Sequence, residues 1–405
     1  MGLPAEGEVT MLELPRPPAI LDILEEHLSE LDFLWEQRER FVFSPDWTLK
    51  ELAAQEERAE AHLDGLRIGA ANSVDIARPA LTADETGLAT AATFVLMAFD
   101  SVELEREVLQ AMNTAPPKSR DGIRIGLHHC DMKRLAAELA DMATAGEPAV
   151  RAAALDVLAF HRLPPPKGIP MLLGDPDPGV RRLVYDAAGR FGGPWSYDVF
   201  AAALDSEFPA LRIAALRASA RMGLMGLDDS CRQAGTRLQN PVPEALEFLG
   251  VLGNSKDLAV LQNAMTRPEL VDAALSGMGK LGLVVAIPTL LDAMAREPIA
   301  HAAGRAFVRM TGVALAEISS ADAAAPAEPA KARAWWEKEK SRFTAEGRWQ
   351  AGFDVAKTPF GENFDALPLD ARLEVYLGAR AKDPQKTPDR ELEKRHPVTV
   401  TLAGS

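Results

Sequence analysis

A short pattern returns at intervals of about thirty residues through the middle of this chain. It reads Glu147-Pro148-Ala149-Val150-Arg151-Ala152, then Asp177-Pro178-Gly179-Val180-Arg181-Arg182, then Glu207-Phe208-Pro209-Ala210-Leu211-Arg212. Each copy holds an acid, a proline, an apolar residue and an arginine, and leads into a run rich in Ala and Leu. Prolines 148, 178 and 209 lie 30 and 31 residues apart, and Pro268 and Pro298 again 30. A period of this size marks stacked supersecondary units, none of which can bury its apolar face alone. The expectation is an all-α fold: a right-handed α-solenoid of about seven helix pairs over residues 80–318.

The local chemistry agrees. Proline at the first helical turn loses no hydrogen bond and arrives with φ already set. An acid beside it suits the positive end of the helix. Gly253, Gly282 and Gly312 fall where helices should stop. Aromatics make up only 6% of the chain against 47% hydrophobic residues, a composition suited to closely packed helix pairs.

Flanking segments differ. Residues 1–17 carry Pro4, Pro15 and Pro17 and read as a disordered N-terminus. Residues 18–79 read as a helical hairpin that caps the solenoid. Ile20, Leu24, Leu28, Leu31, Leu34 and Trp35 recur at helical spacing, Ser44-Pro45-Asp46-Trp47 breaks the run, and Thr48-Leu49-Lys50-Glu51 is a capping box. Residues 319–331 read as a linker, and 332–405 as a tryptophan-containing extension, flexible at its end, where Val398 to Leu402 forms a candidate edge strand. Residues 1–79 hold 17 acidic and 7 basic side chains, so the N-terminal region is the acidic one. It suits solubility, or a partner with a basic surface.

The net charge of −15 and pI near 5.1 argue against nucleic acid or an anionic membrane as the main partner, because phosphate recognition needs a concentrated basic field. The two cysteines, Cys130 and Cys231, show no metal or disulfide spacing. No segment reads as a signal peptide or a membrane span, and the expected compartment is the cytoplasm.

The acid–Pro–x–Val–Arg–x–x–Ala–x–x–Leu segments at 147–158, 177–188 and 207–218 resemble the HEAT-repeat and phycobilisome-lyase-like superfamily. More narrowly, Leu31-Asp32-Phe33-Leu34-Trp35-Glu36-Gln37-Arg38, Ser44-Pro45-Asp46-Trp47, Ala61-His62-Leu63-Asp64-Gly65-Leu66 and Gly126-Leu127-His128-His129-Cys130, with Ala334-Trp335-Trp336-Glu337 and Arg348-Trp349 in the tail, resemble a family of HEAT-like proteins of Gram-negative bacteria, often encoded near type VI secretion genes. That resemblance implies an adaptor or accessory role beside a secretion machine and carries over no catalytic residue.

Candidate binding residues follow. Arg151, Arg181 and Arg212 recur once per repeat. They form either a basic ladder facing a ligand or an ion-pair ladder between repeats, with Asp177 and Glu207 as partners. Trp335, Trp336 and Trp349, with Phe343 and Phe353, are binding anchors or the plug that closes the last repeat. His128-His129-Cys130 is the one local cluster of metal-capable groups, but neighbours on a helix point about 100° apart and share an ion poorly. Gly189-Arg190-Phe191-Gly192-Gly193-Pro194 lacks the phosphate-cradle pattern and reads as an inter-helix turn. None of the seven histidines is followed by Glu, which removes an iron-hydroxylase reading built on His-Glu pairs. The expectation is therefore a non-enzymatic scaffold or adaptor that binds another protein, with no catalytic residue, cofactor or metal. The alternative is a lyase-like repeat enzyme or small-molecule binder, which would show a deep pocket with convergent polar groups.

Overall fold

The computed structural model describes residues 14–167, 169–236, 243–319, 327–357 and 359–387. Most of residues 1–17, the middle of the expected linker and Val398 to Leu402 lie outside the described residues. The chain forms two compact units.

The first unit holds 14–40 and 53–167 among the described residues. Its helices are α1 (Leu21–Phe41), α2 (Leu49–Gly69), α3 (Ala71–Ala80), α4 (Thr86–Met97), α5 (Val102–Thr114), α6 (Pro117–His128), α7 (Ala136–Ala145) and α8 (Pro148–Phe160). The ends of α1 and α2 and their connection, 41–52, belong to the second unit. The α1 stripe is buried as its spacing requires, at Leu24, Leu28, Leu31, Leu34 and Trp35, while Ile20 stays exposed. Arg38 fastens α1 to α2 through Glu56 at 3.0 Å, and Gln55 donates to the Leu34 carbonyl. The sequence reading joined α3 to the hairpin. In the structure Ala70, at φ 47°, breaks α2 from α3, which packs against α4 as an extra helix pair.

The second unit holds 41–52 and 169–387 among the described residues. After the single turn α9 (Ile169–Leu172) come α10 (Pro178–Phe191), a turn α11 (Asp198–Ala201), α12 (Pro209–Met222), α13 (Leu227–Thr236), α14 (Pro243–Leu252), α15 (Leu258–Ala264), α16 (Val271–Leu281), α17 (Ile287–Ala293) and α18 (Ala300–Thr311). A turn α19 (Leu315–Ile318), α20 (Pro329–Glu339), a hairpin of β1 (Trp349–Gln350) and β2 (Phe353–Asp354), and α21 (Leu369–Lys382) complete it. The fold is all-α and repetitive. In the first unit α4, α6 and α8 stack in one layer, and in the second α10, α12, α14, α16 and α18 do the same. The intervening helices form the other layer. Among the described residues the first unit holds the pairs α5/α6 and α7/α8, preceded by α3/α4, and the second holds the five pairs from α9/α10 to α17/α18.

The repeated proline opens α6, α8, α10, α12 and α14. The repeated arginine has a use that the pattern alone did not disclose. Arg151 donates to the Ala143 carbonyl, Arg181 to those of Asp175 and Pro176, and Arg212 to that of Ser206. Each turns back onto the chain segment just before its own helix and satisfies carbonyls that the preceding element leaves unpaired. Asp177 and Glu207 are not the partners. Asp177 caps its own helix through Gly179 N–H, and Glu207 is exposed. Arg212 alone adds an ion pair to the next repeat, a two-pronged contact with Glu244 at 2.7 and 2.8 Å. Arg120, in Pro117-Lys118-Ser119-Arg120, is a fourth member, donating to Met112 and Ala115 carbonyls.

Candidate functional site

The C-terminal extension lies along the repeats of the second unit and closes their helix ends. Arg380 donates to the Arg221 carbonyl at the end of α12. Arg348 donates to Gly250 and Val251 at the end of α14 and to Lys280 in α16. The β-hairpin continues the line: Trp349 N–H donates to Gly282, Ala351 to Arg309 and Gly352 to Met310. The four helices of one layer, α12, α14, α16 and α18, thus have end carbonyls paired by the extension, and positive side chains sit at negative helix ends. The stop signals fit this use. Gly282 and Gly312 both have φ near 69°, and a Cβ on either would run into the hairpin backbone at Trp349 or Ala351.

The tryptophans take part in this closure. Trp336 and Trp349 are buried with Phe343 in the core that includes Phe307, and Trp335 is half-buried, edge-to-face with Phe307 at 5.9 Å. Trp349 and Phe343 meet at 4.7 Å. Trp336 and Trp349 therefore present little surface to a partner, and Trp335 presents more. Trp336→Ala is expected to lower stability by about 3 kcal/mol, read from chemical denaturation, because it removes a core aromatic.

Helix α21 lies against α12 and α14. Its first turn is held by the 44–47 segment, where Leu369 N–H donates to Trp47 and Asp370 N–H to Ser44. Val42, Leu52 and Leu369 form a small apolar cluster under this contact. Capping by Thr48 and Glu51 fixes the segment: the Glu51 carboxylate accepts from Thr48 N–H at 2.9 Å.

Asp370 and Glu374, four apart, place two carboxylates on one face of α21. They meet a ladder of charges from the repeats. Arg309 of α18 pairs with both, and its Nε donates to Gln350 at 2.6 Å. Lys280 of α16 pairs with Glu374 at 3.0 Å and with Glu247 of α14. Burial opposes these charges; the partners outweigh it at Arg309, Lys280 and Glu374, whereas at Asp370 burial prevails and holds the carboxyl above its ordinary value. Glu374 and Asp370 raise Arg309, Glu374 and Glu247 raise Lys280, and the two cations bring Glu374 below the ordinary carboxylate value.

Beside this ladder is a cavity of about 530 Å³, lined from one side by Leu373 and Leu377 of α21 and from the other by α12, α14, α16 and α18, with Phe43 and Pro45 at its edge. Phe43 is 38% exposed, and the Arg217 guanidinium sits 5.0 Å from its ring centre. Of the charged groups lining the cavity, Asp272 and Arg305 are exposed and have no ion pair among the described residues. The carboxylates of Glu244, Glu247, Asp370 and Glu374 are all paired.

The other candidates are packing elements. His128 lies 3.0 Å from Asp156 and stacks on Phe160, while His129 turns its ring to Trp35 and Phe160. Cys130 Sγ–H donates to the Gly126 carbonyl, and burial pushes its thiol upward. His128 and His129 both meet Phe160, and Cys130 bonds to the Gly126 carbonyl instead. Among the described residues no three His, Cys, Asp or Glu side chains are grouped to hold a metal ion. Of the glycine-rich stretch expected to be a turn, Gly189 to Phe191 form the last turn of α10, and Gly192, at φ 68°, begins the turn after it. No helix of the described residues is long and apolar enough to cross a membrane.

No family model matches the chain, and no curated protein matches it. Among solved structures it is similar to human deoxyhypusine hydroxylase in complex with glycerol, with 14% identity over 64% of this chain and 97% of that one. The TM-score is 0.23, which carries no argument about fold or activity.

Proposed function

We propose that the protein is a non-enzymatic scaffold that holds a segment of another protein in the groove beside α21. The observation that carries this reading is α21 itself. The repeats already hold one helix of their own chain by paired charges and apolar side chains, the two kinds of contact that also hold helix-in-groove partners. The open space next to it offers the same elements again: the Phe43 ring, the apolar flank of α21, and the uncommitted charges of Asp272 and Arg305. A segment with an apolar anchor and charges of both signs fits that lining. The resemblance to secretion-associated HEAT-like proteins makes a type VI secretion component or its cargo the partner we propose, met in the cytoplasm.

The second reading, a lyase-like enzyme or small-molecule binder, is favoured by one observation: polar groups do converge on a cavity of about 530 Å³. Against it, the ladder carboxylates Glu247, Asp370 and Glu374 are each committed to a cation, and Asp272, the one lining carboxylate without an ion pair among the described residues, is exposed to water. The test is affinity capture from native lysate with the full chain and with a Phe43→Ala, Arg305→Glu double variant. Both substitutions are at exposed positions, so melting should be unchanged within a degree or two. A stoichiometric protein retained by the wild type and reduced at least tenfold by the variant supports the scaffold reading. Equal retention by both removes the groove from it.

A further inference from the structure

A second cavity, of about 310 Å³, lies on another flank of α21, between that helix and the β-hairpin. Its walls are apolar: Val251, Val355, Ala356, Pro359 and Val375, with the backbone of Gly378 and Ala379. Its charged lining is three cations, Lys280, Arg348 and Lys382, against one carboxylate, Glu374. That carboxylate is already shared by Lys280 and Arg309. Arg348 pairs with no carboxylate among the described residues. Its Nη1 and Nη2 donate to carbonyls at the ends of α14 and α16, and its Nε has no hydrogen bond among the described residues. Lys382 has neither an ion pair nor a hydrogen bond there.

The cavity is therefore positively charged at one side and greasy at the other. Burial, only partly opposed by Glu374, lowers Arg348 to about 10, and the partial burial of Lys382 together with Arg348 brings it below the ordinary lysine value. An anion placed between them would be attracted by both and would relieve their mutual repulsion. Phosphate would satisfy the charge but leave the apolar walls against water. A carboxylate on a short apolar body satisfies both surfaces, as small-ligand sites do with few polar groups in an apolar lining.

We infer that this cavity is a binding site for a small organic carboxylate, its charged group held between Arg348 and Lys382 and its apolar part against Val251, Val355 and Val375. The site adjoins the groove proposed for a protein partner, sharing Val251, Lys280 and Glu374 with its lining, and takes a different class of ligand.

The test is calorimetric titration of the full chain with sodium benzoate and sodium hexanoate. Hexanol serves as the neutral probe and inorganic phosphate as the anion without an apolar part. Lys382 is exposed, so Lys382→Met leaves the fold in place, whereas Arg348 also closes helix ends and is the poorer first choice. The expected result is saturable one-to-one binding of at least one carboxylate, weakened at least tenfold by Lys382→Met, with hexanol and phosphate each at least tenfold weaker. The melting temperature of the variant should match the wild type. Absence of saturable binding by both carboxylates overturns the inference. So does binding that Lys382→Met leaves unchanged, or phosphate binding as tightly as the better carboxylate.

Discussion

Arg309→Met is expected to destabilise the second unit by about 3–5 kcal/mol, with α21 the first element released. The cause is not the loss of attraction alone. Asp370 and Glu374 are largely covered by the packing of α21, and both lean on this one guanidinium. Without it they are left as buried carboxylates, and removing one member of a buried pair commonly carries a cost of this size. Lys280 still holds Glu374, but Asp370 has no second cation among its ion pairs. Thermal melting reads the loss. A companion variant separates charge from packing. Adding Asp370→Asn and Glu374→Gln to Arg309→Met removes the stranded charges and should recover at least half of the lost stability. If the single variant melts like the wild type, the ladder does not hold α21.

Gly250→Val is expected to cost about 3 kcal/mol or more and to push α14 away from α16. A Cβ on Gly250 would overlap the carbonyl oxygen of Gly277, and the Gly277 Cα would be only 2.8 Å away. Both obstacles are backbone, so no rotamer change relieves them, which places the substitution at or above the upper end of ordinary overpacking. Gly174→Ala is the control, since a Cβ there meets nothing within 4 Å. Its effect should stay within about 0.5 kcal/mol. Denaturant titration of both variants decides the matter, and equal midpoints would refute the close crossing.

These two sites show what a single sequence discloses and what it hides. The stack was legible because its determinants are local. Proline at the first turn, glycine at the stop and the thirty-residue period all act within one helix pair. The use of the repeated arginines was legible only in part. Their spacing marked them as structural, but the carbonyls they reach belong to turns whose conformation the pattern does not state. Arg120 escaped notice because Ser119 stands where the other copies have Val or Leu, although Pro-x-x-Arg is intact. The tryptophan-bearing tail was recognisable as a candidate plug for the last repeat, since an open helical stack needs covering.

The candidate site itself could not be read ahead. Arg309 and Asp370 are 61 residues apart, and Arg348 reaches back 98 residues to Gly250. Neither pair has a local signature. The segment 41–47 is similar: its sequence reads as a helix break, and only tertiary packing brings it to the start of α21. Charge counting also misleads here. A chain of net charge −15 holds a cavity lined by three cations and one carboxylate, because charge at a site is set by which side chains converge there.

The most direct test of the central claim is hydrogen–deuterium exchange on the full chain with and without its captured protein partner. The account predicts added protection in three separate peptides that line the groove, around Phe43 to Trp47, around Arg305 and along α21, with little change in α1 to α8. Protection confined to the first unit, or unaltered exchange in all three groove peptides with the partner bound, would contradict it.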